Sequence, residues 1–355
     1  MPATHPLFSD YPTILEKMIR WYHENFEMFP WRRDREPYKV WLSEIMLQQT
    51  TVRTVIPYFE KFLKRFPNVE TLAQSDVEEV LAHWQGLGYY RRARMLHNAA
   101  QVLCHTFHST FPTDISAIKT LPGVGDYTAK AIASIAFNAP VVPVDGNVVR
   151  VFSRLFALKE NVSILPKILT PYILAFEEGL SSGNLSSGAF AQSLMDLGRE
   201  VCKPQNPTCE SCPVQSYCHA FAQNIQNELP VSTPKTKIPT RYAQTTLRVN
   251  SRNEFFIEKR KFKGVLFDLW QFPTSDFISQ PFLNPPESEN AFYKGQIKHV
   301  FSHFKLVVDV YQETIEEHFE KGIWVTEKNL PQYALSTLMR KVLKIYHQSF
   351  EKKAA

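Results

Sequence analysis

What this chain has little of narrows the field first. Cysteine supplies five of 355 residues, too few for the cysteine-dense disulfide frameworks of small secreted domains. No run approaches the roughly 18 consecutive apolar residues that a membrane-spanning helix needs. The opening MPATHPLFSDYP has neither the charged nor the apolar region of a secretory signal. The expectation is a cytoplasmic protein with no membrane partner. Charge of one sign is also scarce: 40 Lys and Arg face 35 Asp and Glu, a net +5. That basic excess suits a polyanionic partner without requiring one. The length is enough for two separate cores.

The few cysteines are not scattered. Cys202, Cys209, Cys212 and Cys218 fall within seventeen residues at the spacing C-x6-C-x2-C-x5-C. Four soft sulfur ligands in one loop suit zinc, an iron–sulfur cluster or cuprous copper, and a disulfide pair is the plain alternative. The spacing differs from ferredoxin patterns, which argues against an electron carrier. Sequence chemistry leaves zinc and [4Fe–4S] both open. Cys104, in the apolar run AAQVLCHTF, reads as a buried small hydrophobe.

Periodicity divides the chain. From about Thr13 to Phe221 apolar residues recur at helical spacing. One long run covers 39–66, where Pro57 is expected to bend or divide the helix. Further helices are expected near 76–85, 89–108, 114–119, 126–138, 147–157, 166–179 and 188–201. Residues 227–241, NELPVSTPKTKIPTR, read as a semi-extended linker. Beyond it the period becomes two, in RYAQTTLRVN, NEFFIEK, LFDLWQF, HFKLVVDVYQE and GIWV, before a closing helix at about 334–348. The expected fold is thus multi-domain: an all-α domain over 1–226, the linker 227–241, and an α+β domain over 242–355. Nine Lys or Arg against two Glu over 231–264 suit a segment that follows phosphates.

Two stretches of the helical half suggest DNA. In Leu121-Pro122-Gly123-Val124-Gly125, glycines allow backbone amides to approach a phosphate at the start of a helix. An ordinary helix–helix turn could have the same composition. Val144-Asp145-Gly146-Asn147 precedes a helix expected to start near Val148, where an aspartate or asparagine commonly caps.

Together LPGVGDYTA, PVDGNVVR and the four-cysteine loop, intact and in this order, resemble the iron–sulfur branch of the helix-hairpin-helix glycosylase superfamily. The resemblance implies one [4Fe–4S] cluster on Cys202, Cys209, Cys212 and Cys218, and DNA backbone contact by Gly123, Val124 and Gly125. Endonuclease III-like enzymes of this superfamily carry a Schiff-base lysine where this chain has Tyr127. Tyrosine cannot form an imine, so a monofunctional glycosylase is expected. Lys130, one helical turn on, is the nearest amine.

The stretch FPWRRDREPYKVWLSEIMLQQTTV, with GLGYYRRAR and the C-terminal half, resembles MutY-type adenine DNA glycosylases over nearly the whole chain. The resemblance implies base-excision repair on double-stranded DNA by a bacterial enzyme acting at the nucleoid as a monomer. Its substrate would be adenine mispaired with 8-oxoguanine or guanine, flipped from the duplex. Glu44 would be the general acid and Asp145 the group opposing the oxocarbenium ion, with Tyr127 and Asn147 positioning them. Two carboxylates with divided roles follow the logic of glycoside hydrolysis. Apolar neighbours should bury Glu44 and raise its pKa. Trp31, Arg32 and Gln192 would line the adenine pocket, while Gln49 and Tyr89 would wedge into the duplex. Arg91, Arg92 and Arg94 would offer charge to the backbone.

The C-terminal half resembles a MutT-like (Nudix) recognition domain. Phe301-Ser302-His303 matches the loop that detects 8-oxoguanine. Catalytic Nudix enzymes need a glutamate-rich helix, and TSDFISQPFLNPPESEN lacks the RExxEE pattern, so nucleotide hydrolysis is not expected.

Overall fold

The structure is a computed structural model describing residues 10–25, 28–233, 238–286, 290–315 and 321–351. Lys235 and Lys237 of the basic stretch lie outside them. The chain divides into two compact units, 1–73 with 98–235 and 74–97 with 236–355. Among the described residues no helix is long and apolar enough to cross a membrane.

The first unit is helical. Its elements are α1 (Tyr11–Asn25), α2 (Pro37–Leu47), α3 (Val52–Arg65), α4 (Val69–Gln74), α7 (Ile115–Ile118), α8 (Asp126–Phe137) and α9 (Gly146–Leu155), then α10 (Leu165–Ile168), α11 (Thr170–Ser182), α12 (Ser187–Asp196) and α13 (His219–Ala222). Helix α5 (Val77–His83) and the first turns of α6 (Arg91–Phe107) belong to the second unit. The run over 39–66 breaks between Leu47 and Val52 rather than at Pro57, which sits inside α3. Gln49 takes a left-handed backbone (φ 58) at the break, a conformation that helix geometry does not tolerate.

Helix α2 is enclosed over most of its circumference: Tyr38 and Val40 to Met46 are all buried. Glu44 on it leaves water with its neighbours. Helices α7 and α8 form the hairpin. Asp114 caps α7 through the amide of Ala117 at 2.8 Å, and Gly123 turns the chain at φ 79, a value that favours glycine.

The second unit holds a mixed sheet of β1 (Thr240–Val249), β2 (Glu254–Lys259), β3 (Trp270–Gln271), β4 (Phe292–Val300), β5 (Lys305–Thr314) and β6 (Ile323–Thr326), with α14 (Thr337–Glu351) closing the chain. The order is β3-β2-β1-β5-β4, with β6 on β2. β1 and β5 are parallel from Thr240↔Lys305 to Val249↔Thr314. Leu247, Ile257, Phe272, Leu306, Val308 and Val310 form the core with Leu338 and Val342 of α14. Two strand expectations need correction. LFDLWQF contributes only two strand residues, and the expected set omits β4 altogether. β4 is an edge strand whose one fully buried side chain is Ile297, and Gly295 and polar residues mask its alternation.

Segment 74–97 is tied into this unit by polar contacts. Glu78 accepts from Lys259 Nζ at 2.7 Å and Trp270 Nε1 at 2.9 Å. Gln85 Nε2 and Tyr90 Oη donate to the carbonyl of Leu335 at 2.9 and 3.2 Å.

Candidate active site

A cavity of about 690 Å³ opens in the first unit. All four residues expected to carry the chemistry, Glu44, Asp145, Tyr127 and Asn147, line it. So do Trp31, Arg32 and Gln192, and so does Gln49. Glu44 is 7% exposed. Burial pushes its carboxyl from 4.5 to about 7, helped by the Asp145 charge and opposed by a hydrogen bond from Tyr127 and the Arg32 cation. Tyr127 is held well above its usual range, by burial first and then by Glu44 and Asp145. Its hydroxyl also lies 4.0 Å from the Met195 sulfur.

Asp145 both caps α9 and lines the cavity, so its capping role does not remove it from the site. Its Oδ1 accepts the amides of Asn147 and Val148, each at 2.8 Å, and its Oδ2 accepts Asn147 Nδ2 at 2.9 Å. Three donors fix both oxygens. Asn147 is not the cap. Its Oδ1 accepts from Arg150 Nη2 at 2.8 Å, and Arg150 also donates to the carbonyls of Gly198 and Cys202 at 2.7 and 2.8 Å. Gly198 permits this approach, because a Cβ there would stand 2.7 Å from Asn147 Cβ.

Sequence reasoning missed several wall residues. Asp196 makes a two-pronged ion pair with Arg32, Nη1–Oδ2 at 2.7 Å and Nη2–Oδ1 at 2.8 Å. Arg199 reaches the same carboxylate at 3.3 Å. The guanidinium groups of Arg32 and Arg199 each lie 4.8 Å from the Phe29 ring, which stacks on Trp31 at 5.3 Å. No local signal marks this cluster. Gln192 Nε2 donates to its own helix at Gly188 (3.2 Å). Lys130 does not line the cavity. Its Nζ lies 3.3 Å from Glu177 Oε1, which also accepts the amide of Val142.

The expected metal ligands sit apart from this cavity. All five cysteines are free of disulfides in this structure. Among the described residues no group of three or more His, Cys, Asp or Glu side chains is gathered so as to hold a metal ion. The donor chemistry nonetheless fits a thiolate-bound metal centre, zinc and an iron–sulfur cluster alike. Burial pushes the Cys212 thiol up to about 12, with the neighbouring cysteine sulfurs adding to the rise, and burial also raises Cys209 and Cys218. Thiols that resist ionising together need a cationic centre to become thiolates. Cys212 and Cys218 have backbone hydrogen bonds to Val214 and to Phe221 and Ala220. Arg154 Nη1 donates to Cys202 Sγ at 3.3 Å.

In the second unit, Phe301-Ser302-His303 forms the β4–β5 turn. Phe301 packs on Phe304 and His299, with centroids 4.9 and 4.6 Å away, while Ser302 and His303 are exposed. The Ser302 hydroxyl hydrogen-bonds that of Tyr89. Tyr89, like Gln49, stands in left-handed backbone (φ 47). The carbonyl of Gly88 beside it accepts from Trp84 Nε1 at 3.1 Å and Arg92 Nη2 at 3.3 Å. Arg92 is therefore a clamp on the Tyr89 loop, and Arg94 pairs with Asp268 at 3.0 Å. The hairpin residues Gly123, Val124 and Gly125 stand between α7 and α8, with open space where a side chain on Gly125 would lie.

Comparison with known proteins extends this picture. Residues 42–169 match the family described as HhH-GPD superfamily base excision DNA repair protein, and residues 245–345 match the NUDIX domain. The chain is 34% identical over 338 residues to an adenine DNA glycosylase of Buchnera aphidicola subsp. Baizongia pistaciae, covering 92% of this chain and 95% of that protein. It is 31% identical to one from Rattus norvegicus, covering 98% and 81%. Among solved structures, a thermostable thymine-DNA glycosylase matches with a TM-score of 0.54 at 25% identity, over 61% of this chain and 99% of that one.

Proposed function

The chain belongs to the adenine DNA glycosylases, enzymes of base-excision DNA repair, and from that membership we propose its finer chemistry. It hydrolyses the N-glycosidic bond of adenine mispaired with 8-oxoguanine or guanine in double-stranded DNA, as a monomer and without lyase activity. The observation that carries this reading is a protonatable carboxyl and a fixed carboxylate in one cavity. Glu44 is 7% exposed with its carboxyl raised to about 7, and Asp145 is held by three donors.

The adenine leaves the stack for the cavity, at a cost of a few kcal/mol that a mispair reduces. Glu44 gives its proton to N7 of the base, and the bond to C1′ breaks with its electron pair going to adenine. Asp145 opposes the positive charge that develops on the sugar. Water adds to C1′ and loses a proton, leaving an abasic site. Tyr127 and Asn147 hold the two carboxyl groups in place. Trp31, Arg32 and Gln192 bound the base, and Gln49 and Tyr89 fill the gap in the duplex. The hairpin of Gly123, Val124 and Gly125 meets a phosphate through the glycine amides, while the Val124 amide closes the turn on the Leu121 carbonyl at 3.1 Å. Phe301, Ser302 and His303 detect 8-oxoguanine.

Cys202, Cys209, Cys212 and Cys218 would hold one [4Fe–4S] cluster. When bound, it supplies a rigid anchor for the loop between α12 and α13. Arg150 and Arg154 carry that loop through their hydrogen bonds to Cys202, Lys203 and Pro204.

Single-turnover excision from a duplex with adenine opposite 8-oxoguanine, read with and without hot alkali, tests the reading. Strand breaks at adenine only after alkali are expected. Breaks without alkali would mean an amine acts as a lyase. Cleavage confined to T·G or U·G duplexes would remove the adenine assignment.

A further inference from the structure

The cavity wall carries an ionic cluster in which the reaction as proposed gives a task to Arg32 but none to Asp196 or Arg199. Arg32 and Asp196 are each 8% exposed at the side chain and joined fork to fork. Burying two charges is costly, and only a closely paired geometry offsets the cost; a two-pronged pair also fixes orientation. Asp196 is the last residue of α12, and the helix continues from Leu197 to Val201 with π geometry. Such wide turns occur frequently at functional sites. Arg199, within that turn, reaches Asp196 at 3.3 Å and Glu200 at 2.7 Å, so two carboxylates balance the two guanidinium groups.

We propose that Asp196 is a positioning residue, holding Arg32 against the cavity wall as a neutralised pair so that Arg32 bounds the base without drawing the proton off Glu44. The proposal rests on Glu44 being the acid. An unpaired guanidinium in a low-dielectric cavity would favour the ionised carboxyl. Glu44 is faced by Tyr127 from α8, by Asp145 from the cap of α9 and by Arg32 from the 3-10 turn Pro30–Arg32. Helix α3 adds only Val52 to the wall. Asp196 is faced by Arg32 and by Arg199, itself paired with Glu200, with Tyr22 and Arg35 beside them.

The test is the pH dependence of single-turnover excision on the A·8-oxoguanine duplex, with the full chain and its cluster in place. Wild type should lose rate as pH rises through the Glu44 pKa. Asp196→Asn should move that limb to lower pH by about one unit. Arg32→Met should move it to higher pH, and the double variant should return it to the wild-type position. The Arg32→Met arm still decides if Asp196→Asn does not fold. A limb that stays in place in the variants would overturn the proposal, since a merely structural pair would lower rate or stability without moving it. Absence of any alkaline limb in wild type would instead remove Glu44 as the acid.

Discussion

The cavity of the first unit and the Tyr89–Ser302 contact of the second are built in opposite ways. In the cavity the charged groups are buried or half-buried and each is held: Glu44 by the Tyr127 hydroxyl, Asp145 by a helix end, and Arg32 and Arg199 by Asp196. Asp145 is fixed by the amides of its own helix, and Arg32 by Asp196. At the other site a tyrosine and a serine, both exposed, share one hydrogen bond across two loops. Chemistry on a glycosidic bond needs a carboxyl that keeps its proton near neutral pH, which here desolvation provides first and the Asp145 charge second. Reading a base in a duplex needs side chains that reach outward, where a neutral hydrogen bond contributes only about 1 kcal/mol. Substitutions in the first region should therefore change rate and stability together, and those in the second should change selectivity alone.

Glu44→Gln should break the first region most completely. Loss of the proton donor is expected to lower excision by about a thousandfold, while binding to the mispair persists. The same change should stabilise the protein, with a sign set by linkage. Glu44 in the folded state titrates at about 7 against 4.5 for the free side chain. Its stabilising contribution is complete below 4.5, where both states are protonated, and is lost as pH rises through about 7. A neutral, isosteric glutamine avoids that loss, so the variant should gain about 3 kcal/mol at pH 8 and nothing at pH 4. Denaturant melts at the two pH values measure it. Equal melts at pH 8 would mean that Glu44 is solvated when ionised.

How much of this was legible in the sequence also differs between the regions. The helices around Glu44 and Asp145 follow from apolar spacing, and the burial of Glu44 from its apolar neighbours Ile45 to Leu47. Yet Pro57 was a misleading punctuation mark, because a break at Gln49 needs only a left-handed residue there. Asp196, Arg150 and Arg199 carry no local signal, since their partners lie across the fold and ion pairs of this kind have no sequence period. In the second unit β4 escaped because an edge strand need bury only one face, and here it fully buries one side chain. Nothing in the composition of 74–97 shows that its polar side chains are spent on Trp270, Lys259 and Leu335. Such long-range hydrogen bonds leave no trace in a one-dimensional pattern.

Tyr127→Phe sharpens the comparison within the cavity. The phenol hydrogen bond favours the ionised form of Glu44 and opposes the rise caused by burial. Its removal should raise the pKa further and carry the alkaline limb of excision upward by about one pH unit. The direction is informative because it is opposite to that expected for Asp196→Asn. A fall in rate at all pH values with the limb unmoved would mean that Tyr127 orients Glu44 without touching its charge.

The smallest effect is expected at Ser302, where the comparison is also most easily broken. Ser302 is exposed and packs into no core, so Ser302→Ala should leave the melting temperature and the pH limb unchanged. It removes one neutral hydroxyl, worth about 1 kcal/mol, and should reduce the preference for A·8-oxoguanine over A·G by about fivefold. Tyr89→Phe removes the partner hydroxyl but keeps the ring, and should change the preference in the same direction by less, because stacking does not depend on the hydroxyl. If Ser302→Ala lowered excision equally on both mispairs, the loop would be acting on the duplex as a whole. If it also lowered stability, the hydroxyl pair would be holding the Tyr89 loop in its left-handed turn, and the second region would share the first one's coupling of fold to function.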